Sequence, residues 1–371
     1  MTRTESIRVL VVDDSAMFRA AITRALNAEA DITVVGGAAS ADEARRMIAT
    51  YRPDVVTLDL EMPGEDGLSL LRDYMSKKPV PTVVVSGRTA GAVRLTISAL
   101  EAGAADVVAK PRGGLECGGF TAVCESVRAA FEMRGKGRRF LMRSETAQNT
   151  IRSGPSLWRK TEDWPIVIGA STGGVQALGT LLPSLPADAP PIVVVQHMPE
   201  GFTEAFARRL DSLCQMSVVE AKGGEVLRRG LVLIAPGGKR HLVVRGRGSS
   251  LVTDLIEGDP VCYSRPSVDV LFQSLAACAA PRLSAAVLTG MGQDGANGLA
   301  AIAKAGGRTF AQDQETSGVF GMPARAHEVG ASERFVPLPD MAGVLLASIG
   351  QVRPSRPVGS NMRKNTTLTR G

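Results

Sequence analysis

Aromatic residues are scarce: 10 Phe, 3 Tyr and 2 Trp supply 4% of the 371 residues. Any core must therefore be mostly aliphatic. Cysteine is equally sparse, and Cys117, Cys124, Cys214, Cys262 and Cys278 show no C-x-x-C spacing and are odd in number. That argues against a disulfide framework or a thiolate metal cage and for free thiols in a reducing compartment. No apolar run approaches the roughly 20 residues that cross a bilayer. The first such run is followed at once by Asp13 and Asp14, unlike a secretory leader. These absences predict a cytoplasmic location and no membrane insertion. No fixed-period repeat is present, which excludes a solenoid.

What remains is an ordinary globular composition, 44% hydrophobic and 22% charged with 40 Gly. At about 150 residues per domain, the length suggests two domains. The net charge of +6 could signal nucleic acid. It resides elsewhere, however: residues 134–165 hold 8 basic and 3 acidic groups, and residues 351–371 hold 5 basic and none acidic. Neither folded half then offers a basic face for a phosphate backbone, and no nucleic-acid role is expected. The same stretches lack apolar periodicity. The expected division is a domain over 5–133, a basic linker over 134–163, a second domain over 164–350 and a basic, disordered tail over 351–371.

In the first half, IRVLVV, ITVVGG, DVVTLDL, TVVVS and DVVAK read as Val-rich strands. Each is followed by 10 to 15 residues of helical spacing, such as AMFRAAITRALNA. Five βα units predict a doubly wound parallel sheet, with reactive groups at the carboxyl ends of its strands. Asp13 and Asp14 close the first strand, Asp59 the third, Ser86 the fourth and Lys110 the fifth. Singly, Asp13 or Asp14 could be a helix N-cap. Together, three carboxylates on neighbouring strand ends suit a hard divalent cation, Mg²⁺, and the lysine and hydroxyl suit a phosphoryl group. VVDDS, LDLEMPGEDGL, VVVSGRT and AKP resemble the response-regulator receiver family. The resemblance implies a flavodoxin-like sheet of order 2-1-3-4-5, Asp59 as phosphoacceptor, and Asp13, Asp14 and Asp59 as the Mg²⁺ site. It also implies that Ser86 and Lys110 contact the phosphoryl oxygens. Val107 stands where that family often carries an aromatic switch residue.

In the second half, WPIVIGASTGGVQAL reads as strand, Gly-rich turn and helix. Gly169-Ala170-Ser171-Thr172-Gly173 matches G-x-S-x-G, a strained turn that exposes a serine at a helix N-terminus. Such a turn can equally cradle a phosphate. A nucleophilic serine needs a base, and His197, at the end of PIVVVQHMP, emerges at the same sheet edge. His241 begins a strand and His327 lies in a polar helical stretch. A carboxylate to orient the base could be Asp294, which otherwise reads as an N-cap for the helix beginning near Ala296. Under the α/β-hydrolase order Ser, Asp, His, the base would instead be His327.

GASTGG, QHMPEGFTEAFARRLD, IAPGGKRHL, RPSVDVLF, LTGMGQDGANGL, AGGRTFAQD and GMPARAHEVGA resemble the chemotaxis protein-glutamate methylesterases over residues 164–349. That family implies a doubly wound, mostly parallel α/β domain with Ser171 as nucleophile, His197 as base and Asp294 as orienter, and no cofactor in the catalytic domain. Thr172 and Met291 would lie beside the scissile group, with the Met291 amide in the oxyanion hole, and Arg265 would contact substrate. Ser264 replaces the histidine expected before RPSVD. The implied partners are methyl-accepting chemotaxis receptors as substrate and a chemotaxis histidine kinase as phosphodonor, with the chain acting as a monomer. Two other readings stay open: a phospho-regulated serine hydrolase of a different sensory array, and a non-catalytic adaptor.

Overall fold

The computed structural model describes residues 6–87, 89–110, 120–134 and 164–351. The expected linker and tail lie outside these, apart from Arg134 and Gln351. The first sheet is built from β1 (Ile7–Val12), β2 (Ile32–Ala38), β3 (Val55–Leu58), β4 (Thr82–Ser86) and β5 (Asp106–Ala109), in the order 2-1-3-4-5. Its registers are all parallel. β1, β3 and β4 are almost entirely buried, as continuous Val-rich runs require when helices cover both faces.

Five helices do so: α1 (Ala16–Asn27), α2 (Ala41–Tyr51), α3 (Gly67–Lys77), α4 (Ala90–Glu101) and α5 (Thr121–Glu132). Side chains placed just ahead of them start the helices. Ser15, Ser40, Asp66 and Thr89 each accept a hydrogen bond from the amide three residues on.

The second sheet has seven strands: β6 (Ile166–Ala170), β7 (Ile192–Gln196), β8 (Ser217–Glu220), β9 (Leu231–Ile234), β12 (Ser284–Val287), β13 (Arg308–Gln312) and β14 (Arg334–Val336). Their order is 14-13-12-6-7-9-8, and every pairing is parallel. The chain runs from β6 outward through β7 to one side and returns through β12 on the other, so the strand order reverses at β6. A crevice opens at such a switch point, at the carboxyl ends of the strands.

Helices α6 (Gly174–Leu181), α7 (Phe202–Asp211), α8 (Val268–Cys278), α9 (Ala296–Lys304), α10 (Gly321–Glu328) and α11 (Leu338–Ser348) flank the sheet. An antiparallel ribbon of β10 (Arg240–Arg247) and β11 (Ser250–Glu257) stands apart from it. No described helix is long and apolar enough to cross a membrane.

The two halves pack together. Val93, Ile97, Leu100 and Val107 of the first share an apolar cluster with Met198, Phe202 and Phe206 of the second. Val123 of α5 and Met133, just past its end, cluster with Val319. An ion pair joins Arg209 to Glu101 on the surface.

Helices α8 and α9 approach closely because Gly298 has no side chain. A Cβ there would lie 2.5 Å from Phe272 Cβ and 3.0 Å from the Asp269 backbone. Alanine gains about 1 kcal/mol in helix propensity over glycine, but overpacking costs about 1–3 kcal/mol. Gly298→Ala is therefore expected to lower the urea midpoint, and an unchanged or raised midpoint would contradict this helix contact.

Candidate active site

Three strand ends meet at the switch point. Ser171 follows β6 directly, His197 follows β7, and Asp294 lies in the loop after β12. The turn after β6 is held by backbone contacts: Ser171 N donates to Thr289 O at 3.0 Å, and Gly174 N to Ser171 O at 2.7 Å. Gly173 takes the left-handed conformation, with φ of 79°. The strain expected at the serine is thus carried by a residue that tolerates it, and Ser171 is not among the residues with positive φ. Packing leaves no latitude here. A Cβ on Gly174 would sit 2.0 Å from Gln196 Oε1, and one on Gly290 would sit 2.7 Å from Ser171 Cβ.

The imidazole of His197 faces Asp294, with Nε2 2.8 Å from Oδ2. That buried carboxylate makes three further contacts. Oδ2 also accepts from Val268 N (2.8 Å), while Oδ1 accepts from Ser267 Oγ (2.8 Å) and Asp269 N (2.9 Å). Asp294 therefore does not cap α9, whose N-cap is Gly295 without a side-chain bond; it caps the first turn of α8 instead. Asp269 reciprocates by accepting from Gly298 N at 2.6 Å. Burial alone would raise the Asp294 carboxyl, but the hydrogen bond and charge of His197 and the amides of Asp269 and Val268 hold it below the usual carboxylate range.

With Nε2 committed to Asp294, Nδ1 is the free basic nitrogen of His197. Ser264 Oγ lies 3.4 Å from it, at the limit of a hydrogen bond. Ser171 and His197 line one narrow cavity, closed from the other side by Asp106 and Val107 of the first domain. No hydrogen bond joins Ser171 Oγ to the ring among the described residues. Such contacts commonly tighten only when substrate binds.

Gln196, which the sequence reading missed, braces both residues by donating from Nε2 to Ser171 O (2.9 Å) and His197 O (3.0 Å). Its signal was a polar residue ending an apolar strand beside a histidine. Ser267 was missed as well, though its position before α8 marks an N-cap.

The other histidines do different work. His241 is buried, accepts from Ser267 N at 3.1 Å through Nδ1, and uses Nε2 on Asp259 O at 3.0 Å. His327 is exposed and stacks on Phe335 with ring centroids 4.3 Å apart. Thr172 is buried and donates to Asp106 Oδ2 at 2.9 Å. Met291 is partly buried against the α5 cluster, directly after the Gly290 backbone that abuts Ser171. Arg265 is pinned to Gly238 O (3.0 Å) and Gly258 O (2.6 Å).

At the first sheet's edge, the carboxylates of Asp13, Asp14 and Asp59 offer oxygens within 4.8 Å of one another. Lys110 Nζ lies 2.6 Å from Asp59 and 2.8 Å from Asp13. Burial raises the Asp13 carboxyl despite the lysine. Ser86 Oγ is enclosed without a hydrogen-bond partner among the described residues. Oxygen-only ligands around a buried charge fit a hard divalent cation. Val107 is buried against the sheet and lines the crevice.

Comparison with known proteins matches residues 166–345 to the CheB methylesterase family and residues 9–115 to the response regulator receiver domain. The chain is 50% identical over 347 residues to a protein-glutamate methylesterase/protein-glutamine glutaminase of Cereibacter sphaeroides, covering 93% of each chain. It is 44% identical to one from Nitrosomonas europaea, covering 93% of this chain and 97% of that one. Among solved structures, the CheB methylesterase catalytic domain of Thermotoga maritima aligns at 38% identity and a TM-score of 0.49, over 50% of this chain and 98% of that one.

The depressed Asp294 carboxyl has a pH signature. Its stabilising contribution is present above the ordinary value of 3.8 and lost as pH falls through the lower folded-state value. The stability difference between wild type and Asp294→Asn should shrink as pH falls below 3.8. A difference that grew in acid would contradict the assigned contacts.

Proposed function

The chain belongs to the protein-glutamate methylesterase/protein-glutamine glutaminase family, a methylesterase domain behind a response-regulator receiver domain, and we propose that it hydrolyses glutamate γ-methyl esters on chemoreceptors under control of Asp59 phosphorylation. Deamidation of specific receptor glutamines follows from the same chemistry. The observation that carries this reading is the buried His197–Asp294 contact in the crevice that also holds Ser171.

In the first step, Ser171 Oγ bonds to the ester carbonyl carbon while His197 Nδ1 takes its proton. Amides at the start of α6, with that of Met291, receive the developing oxyanion. The C–O bond to the methoxy group then breaks, and His197 returns its proton to give methanol. Water attacks the acyl-serine with His197 again as base, releasing the glutamate carboxylate and the serine hydroxyl. With a glutamine side chain, ammonia replaces methanol as the leaving group. Asp294 keeps the proton on Nε2 and stabilises the imidazolium, and Thr172 and Arg265 border the substrate.

In the receiver, Asp13, Asp14 and Asp59 would hold Mg²⁺, which would offset charge as a histidine kinase transfers its phosphoryl group. Lys110 and Ser86 would grip the phosphoryl oxygens. The unphosphorylated receiver acts as a lid bonded to the nucleophile's own turn. Ala105 O accepts from Gly173 N at 3.3 Å, using an amide at the start of α6. Gln176 Nε2 donates to Leu100 O and Ala104 O, both at 2.8 Å. Asp106 accepts from Thr172 and Ser126 hydroxyls and from Val107 N. Burial raises the Asp106 carboxyl even so, so its ionised form opposes docking while its hydrogen bonds favour it. Phosphorylation turns the singly charged Asp59 carboxylate into an acyl phosphate of about two negative charges, a net gain of about one, where Lys110 closes the far end of β5, and this favours release.

Ser171→Ala should abolish methanol release from methylated receptor membranes, a loss on the order of 10⁶ in kcat, while the fold is retained; appreciable turnover would refute the nucleophile. The lid gives two variants of opposite sign in the unphosphorylated chain. Gln176→Ala removes two bonds to the receiver and should raise basal turnover severalfold, whereas Asp106→Asn removes the buried charge, with the Thr172 and Ser126 hydroxyls turning to accept from its amide, and should lower it. Equal basal rates in all three proteins would contradict the lid.

A further inference from the structure

The active-site rim carries a turn whose backbone is costly and whose side chain serves nothing inside the protein. Val261 and Ser264 exchange two backbone hydrogen bonds, of 3.1 and 2.9 Å, closing a two-residue turn. The two residues between them, Cys262 and Tyr263, both take the left-handed conformation, with φ of 49° and 62°. Asn and Gly usually fill such turns, because side chains beyond a short polar group are strained there. Strain of this kind persists where surrounding structure enforces it, and it gathers at functional sites.

Here the turn lies against the catalytic pair. On one side of the turn, Ser264 Oγ reaches His197 Nδ1 at 3.4 Å. On the other, Cys262 Sγ lies within 4.8 Å of an Asp294 carboxylate oxygen. Arg265, the next residue, is tied to Gly238 and Gly258. Between these anchors Tyr263 is 94% exposed, well beyond the other large exposed hydrophobic side chains. A chain with only 3 tyrosines thus holds one in solvent, one residue from a side chain that touches the proposed base.

We infer that Tyr263 is a specificity-determining residue that grips the receptor surface around the scissile side chain, and so distinguishes a folded protein substrate from a small ester. The inference rests on the serine-esterase reading of the same crevice. A tyrosine presents an apolar ring and a polar hydroxyl with little rotamer freedom to lose, which is why such residues anchor protein interfaces. On a turn held at both ends it is pre-positioned, so little ordering cost falls on binding. It needs no contact with the reacting atoms, and the effect of its loss should appear in KM.

The test uses the full phosphorylated chain, Tyr263→Ala and Tyr263→Phe. Methanol release from methylated receptor membranes gives KM and kcat, and the labelling rate of Ser171 by a small fluorophosphonate reports the catalytic groups independently of substrate size. For Tyr263→Ala the expected result is a KM raised about tenfold, an unchanged kcat and an unchanged labelling rate, with Tyr263→Phe close to wild type. An unchanged KM would overturn the inference. So would parallel losses in turnover and labelling, which would mean that residue 263 acts through His197. If wild type itself is not labelled at Ser171, the serine-esterase reading fails, a result distinct from either of these.

Discussion

The hydrogen bond between His197 and Asp294 is the constraint around which the hydrolase domain is arranged. A carboxylate this deeply buried is stable only when its oxygens are well supplied with donors. The four come from His197, Ser267 and the first-turn amides of α8. Meeting that demand fixes the α8–α9 contact, the loop after β12 and the ring orientation of His197. Because the same carboxylate caps a helix and orients the ring, stability and chemistry are coupled at this residue. The parallel sheet supplies the rest: only at β6, where the strand order reverses, can ends of three neighbouring strands face one crevice.

In the proposed regulatory scheme β5 has a role at each end. Lys110, just past its carboxyl end, bonds to Asp59 and Asp13, and Asp106, at its start, bonds to Thr172 beside Ser171. The four residues of β5 span about 13 Å, so the phosphorylation site and the nucleophile turn are linked by one short strand. This offers a route for the signal that does not depend on an aromatic side chain at Val107. The bonds from Gly173, Thr172 and Gln176 favour docking, the buried Asp106 carboxylate opposes it, and a modest charge change at Asp59 can then shift the balance.

Much of the fold was legible in the sequence because it follows from backbone patterning. Val-rich runs marked β1, β2, β3, β4 and β5 to within about two residues, and five βα units allowed few other sheets. The catalytic candidates were legible as polar residues at strand ends. Long-range geometry was not. Nothing near Asp294 reveals that it caps α8 rather than α9, because that depends on how two helices cross. The contribution of Asp106 was hidden because its partners lie in the other domain, and Gln196 was hidden because its role is to brace backbone carbonyls. The turn at Cys262 and Tyr263 runs against local preference, so sequence rules could not anticipate it.

The central claim is that a hydroxyl, an imidazole and a carboxylate from three strand ends act as one catalytic unit. Tandem mass spectrometry of the chain after reaction with a fluorophosphonate, in wild type and His197→Ala, tests it most directly. The account predicts a single adduct on Ser171 that is lost with the imidazole. An adduct on another residue, or one on Ser171 that forms equally fast without His197, would contradict it.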